Sequence, residues 1–71
     1  MKLRFLGKDS TPSDSPTLYE TDHGTYVIQG WRVVDPEALS QMKIPDHETC
    51  IEVPKALMQY LPKENRGAGN T

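Results

Sequence analysis

The sequence predicts an α+β fold: a small three- to four-stranded, mainly antiparallel sheet with one short and one C-terminal helix, ordered β-β-β-α-β-α. Three observations predict it. Short apolar runs alternate with polar residues and are separated by Gly, Pro, Asp and Ser clusters. "DPEAL" at 35–39 carries a helix-start signal. Ala56, Leu57, Tyr60 and Leu61 repeat at helical spacing.

The elements follow in order. In "KLRFL", residues 2–6, Leu3 and Phe5 share one face and Lys2 and Arg4 the other, as in a strand. "DSTPSDSP", residues 9–16, has the composition of a loop. "TLYET", residues 17–21, reads as a second strand, and Asp22-His23-Gly24 as the turn into a third. "TYVIQGWRVV", residues 25–34, is the longest β-prone run, because most of its side chains are β-branched or aromatic. Asp35 suits an N-cap, Pro36 the first helical position, and Glu37 the positive end of the helix dipole. Ile44-Pro45 bars continuation of that helix. "TCIEV", residues 49–53, reads as a fourth strand, and Pro54 opens a helix that Pro62 stops. Residues 1–62 thus make one α+β domain, and residues 63–71 are expected to be a disordered tail.

Gly30 interrupts the third strand. An interior Gly marks a bulge or the close approach of another backbone. A bulge there would carry Trp31 and Val33 onto the face of Tyr26 and Ile28, and so into the core. Burial is the expectation for a Trp. The functional reading leaves Trp31 half exposed as an interface anchor.

Size and charge restrict what the chain can do. Seventy-one residues make one small core, worth roughly 3–5 kcal/mol, so such domains often lean on a partner and a homodimer is attractive. One cysteine excludes an internal disulfide. A lone thiol, an N-terminus too charged for a secretory segment and the lack of a long apolar run place the expectation in the cytoplasm. Residues 9–52 hold nine acidic side chains against Arg32 and Lys43. The other basic residues sit at the ends, including Lys2, Arg4, Lys55 and Lys63. An acidic body disfavours direct nucleic-acid binding, although basic ends gathered on one side would permit it.

Catalytic patterns are sparse. No phosphate-binding glycine loop is present. His47 and Cys50 form an H-x-x-C pair, and His23 is the remaining strong metal ligand. A structural zinc site wants four ligands in paired spacings, which this set lacks. A Cys50 nucleophile with His47 as base would also need a pocket and an oxyanion hole, for which the chain has little room. The expectation is a non-enzymatic chain with no cofactor and no metal. A minor metal or thiol site at His47 and Cys50 is kept as an alternative.

"YETDHGTYVIQGWRVVDPEAL" and "IEVPKALMQYL" resemble a family of small actinomycete proteins. In that family a Y-x-T-[DE]-x-G-T-Y-V-x-Q-G-W block and a D-P-x-A-L block precede V-E-[VI]-P-x-x-L. The resemblance covers residues 16–62 and brings no catalytic residues to carry over. It implies an accessory role beside helix-turn-helix transcriptional regulators. The expected function is therefore binding of another protein, such a regulator being the expected partner. Glu20, Asp22, Tyr26, Trp31 and Glu48 are the expected contact residues, with acidic positions steering approach. A small nucleic-acid-binding protein is the alternative.

Overall fold

The computed structural model describes residues 1–63. From residue 64 on, the expected tail lies outside the described residues. Strands β1 (Leu3–Lys8), β2 (Thr17–Thr21) and β3 (Tyr26–Gln29) form an antiparallel sheet in that spatial order. A second, two-stranded sheet pairs β4 (Trp31–Arg32) with β5 (Ile51–Glu52). Between them lies helix α1 (Pro36–Ser40), and a 3₁₀ helix, Lys55–Tyr60, follows. The fold is α+β as the sequence indicates, with two differences of arrangement.

The first is at Gly30. The expected single strand 25–34 ends its pairing with β2 at Gln29 and resumes in a different sheet. A β-carbon on Gly30 would lie 2.6 Å from Val53 Cγ1 and 2.7 Å from the Glu52 carbonyl oxygen. Gly30 is therefore where the chain segment around β5 crosses closely, one of the two meanings an interior glycine carries. Trp31 leaves the first sheet here and does not enter the core; it is 38% exposed.

The second difference is the last helix. Pro54 acts as its N-cap and not as its first helical residue, and the turns close through i to i+3 hydrogen bonds. Leu57 N–H donates to the Pro54 carbonyl at 3.0 Å and Leu61 N–H to that of Met58 at 3.2 Å. The piece between Pro54 and Pro62 is short, and 3₁₀ geometry is used in such short pieces.

The register shows which face is covered. Gly7 and Ile28 both stand opposite Leu18, so these three residues lie on one face. A bulge between Phe5 and Gly7 puts Gly7 there. The Tyr60 ring lies against Gly7, and Leu18 and Leu57 are both fully buried. The 3₁₀ helix thus caps this face. The opposite face carries Leu3, Phe5, Tyr19 and Val27, and no described element packs on it closely enough to bury them: Phe5 remains 57% exposed. Phe5 and Tyr19, direct neighbours in the register, meet edge to face with ring centroids 6.3 Å apart.

The hairpin β2–β3 turns through Asp22–Thr25, with Gly24 at φ 80°. The Thr21 side-chain oxygen accepts from the backbone N–H of His23 at 3.0 Å and of Thr25 at 3.2 Å, tying the turn to the strand end. Asp35 caps α1 as its sequence position indicates, accepting from Ala38 N–H at 2.8 Å. That helix nevertheless buries none of its residues. No helix among the described residues is long and apolar enough to cross a membrane.

Candidate functional site: the Trp31 surface

Trp31 opens β4 immediately after the Gly30 crossing. Its indole N–H donates to Asp14 Oδ1 at 2.8 Å. Asp14 belongs to the Ser- and Pro-rich loop 9–16, which is internally bonded. Asp14 N–H donates to Thr11 Oγ1 at 3.0 Å, Thr11 N–H to the Asp14 carbonyl at 2.9 Å, and Asp9 N–H to the Pro16 carbonyl at 3.0 Å. Gln29 Nε2 and Thr17 Oγ1 both donate to the Ser15 carbonyl at 2.8 Å. A loop whose composition alone signals irregularity is thus fastened to β2, β3 and Trp31. A shallow hollow of about 290 Å³ lies between this loop and Gln29, Gly30 and Trp31.

The other expected contact residues stand elsewhere. Glu20 pairs with the Arg4 guanidinium across the β1–β2 ladder, and Tyr26 faces Glu20 from β3. The Glu20 contact, first by hydrogen bond and then by charge, raises the Arg4 pKa. Asp22 sits at the hairpin end, accepting from Lys2 N–H at 3.3 Å, with His23 Nε2 at 3.6 Å. This group occupies the turn end of the sheet, while Trp31 follows its opposite end. Glu48 lies apart from both, in the turn before β5, bonded through its N–H to the Pro45 carbonyl. The five residues do not form one patch. Sequence reasoning missed Asp14, because a partner seventeen positions away in an irregular loop leaves no periodic signal.

His47 stands exposed beside Glu48, 3.8 Å from its carboxylate, and Cys50 is half-buried. Among the described residues no three His, Cys, Asp or Glu side chains gather as a metal cluster. Of the basic ends, Arg4 is committed to Glu20. A second hollow, a groove of about 730 Å³, runs between α1 and β5 and is lined largely by Val33, Val34, Ala38, Met42, Ile51 and Val53.

In comparisons with protein-family models, curated proteins and solved structures, nothing matches this chain.

Proposed function

We propose that this chain is a non-catalytic accessory protein that binds another protein through the Trp31 surface. The observation that carries the reading is the Trp31–Asp14 hydrogen bond. It fixes a half-exposed indole whose polar atom is already satisfied, leaving the ring to fill an apolar pocket. An immobilised aromatic loses little entropy on binding, and Trp is enriched among the residues that dominate interface energetics. The fastened loop beneath it supplies a rigid support.

The charge around the anchor favours a partner class. Asp9 and Asp14 lie in the adjoining loop, within a segment dominated by carboxylates. Acidic groups around an apolar anchor speed docking on a basic protein and set its orientation. A DNA-binding transcriptional regulator, the partner class implied by the sequence resemblance, has that chemistry.

The test is affinity capture of the full tagged chain from lysate of its own host at low and high salt, beside Trp31→Ala. One stoichiometric basic partner, weakened by salt and lost with Trp31→Ala while circular dichroism is unchanged, is the expected result. Capture that is indifferent to Trp31 would remove this surface from the function.

A further inference from the structure

The hollow beside Trp31 is lined by hydrogen-bond acceptors and by no Lys, Arg or His among the described residues. Asp14 Oδ1 takes the indole N–H at 2.8 Å, while Oδ2 has only the Ser13 hydroxyl at 3.5 Å. A contact that long is weak, so Oδ2 retains its capacity to accept. Gln29 lines the same hollow and donates Nε2 to the Ser15 carbonyl at 2.8 Å. That bond leaves Gln29 Oε1 as an acceptor with no partner among the described residues.

The chain's own cations do not answer these groups. Arg32 follows Trp31 in β4, and strand alternation sends its side chain to the opposite face. Lys8 stands two strands from Gln29, across Thr17, and forms no salt bridge among the described residues. A second carboxylate lies on the indole's side of β4. Glu52 is directly opposite Trp31 in the β4–β5 register, so the two side chains leave the ladder on one face. It too has no salt bridge among the described residues.

An aromatic plane beside an unneutralised carboxylate and an amide oxygen suits a cation that is also a donor. The face of a Trp attracts positive charge, and a carboxylate bonds strongly to charged N–H groups. Arg meets both demands better than Lys. Its guanidinium is planar and weakly hydrated, and it carries donors around its edge while its face stacks. Building on the reading of Trp31 as the contact surface, we infer that this hollow takes an arginine side chain of the partner protein. The guanidinium stacks on the indole and donates to Asp14 Oδ2, with Gln29 Oε1 as the second acceptor. Glu52 adds negative charge to the same face. The methylene stem of that arginine forms one wall of the apolar pocket that receives the ring.

Panning of the full chain against a displayed library of random peptides tests this, followed by titration of labelled synthetic peptides read by anisotropy. The selected peptides should share an arginine. Citrulline at that position keeps the planar shape without the charge, and it should weaken binding at least about ten-fold, with lysine costing at least about three-fold. Asp14→Asn keeps an oxygen for the indole N–H and removes only the charge. It should weaken the same peptides at least about three-fold while Trp31 emission stays unchanged. Peptides that need Trp31 yet carry no arginine, or that tolerate citrulline, overturn this inference and leave the Trp31 surface standing. Peptides indifferent to Trp31→Ala overturn both. An empty selection overturns the arginine site alone, provided that capture from lysate still depends on Trp31.

Discussion

The Tyr60 ring rests on Gly7, where a β-carbon would fall 2.1 Å from the ring's Cγ. This contact joins the last described element to the first strand. It depends on the bulge that turns Gly7 toward the covered face.

Gly7→Ala should therefore destabilise the fold. The clash is with the root of the ring, so the whole side chain must move. Overpacking of this kind costs about 1–3 kcal/mol. For a domain of this size, each kcal/mol lowers Tm by roughly 4–8 °C. Thermal melts followed by circular dichroism read the loss. In a Tyr60→Ala background the same substitution should cost less, which assigns the effect to this pair.

Leu57→Ala should leave little folded protein. Leu57 and Leu18 are the two fully buried apolar side chains among the described residues. Truncating such a residue costs about 2–5 kcal/mol, comparable to the whole stability expected of a core this small. Loss of a cooperative urea transition is the expected outcome. A transition retaining most of its midpoint would show that other contacts hold the fold.

Asp35→Ala should act locally. The lost cap is worth about 1 kcal/mol to α1. That helix buries none of its residues, so its fraying need not propagate. Amide exchange at Ala38 and Leu39 should accelerate while β2 stays protected and Tm moves little. Equal acceleration in β2 would mean that α1 is coupled to the core.

Asp14→Ala should free the indole. Trp31 is the chain's one tryptophan, so its emission reports this site alone. A red shift and a fall in anisotropy are expected, with stability changed by no more than about 1 kcal/mol, as for an exposed hydrogen bond. Unchanged emission would show that loop 9–16 does not hold the ring.

Much of the local structure was legible in the sequence, because it depends on neighbours in the chain. Asp35 caps α1 through Ala38, three residues on, and Pro36 follows as its first residue. The β2–β3 hairpin turns where Asp22-His23-Gly24 indicates. Pro54 and Pro62 bracket the last helix, but the α-helical stripe at 56–61 does not hold in a 3₁₀ helix, where Leu57 and Tyr60 share a face and Ala56 and Leu61 stand exposed on others. Periodicity also placed Leu3 and Phe5 on one face of β1, but could not say whether that face would be covered.

By itself, then, the sequence determined the α+β class, the approximate succession of strands and helices and the helix cap, all set by steric and hydrogen-bonding preferences within a few residues. Only the tertiary structure decided that the third strand divides at Gly30, that Trp31 is held at the surface by Asp14, and that Glu20 is occupied by Arg4. Each of those outcomes depends on a residue brought from far along the chain. Val53 approaches Gly30, and loop 9–16 reaches Trp31 across the sheet. Alternation within a strand carries no information about such approaches, because they are fixed by the packing of whole elements.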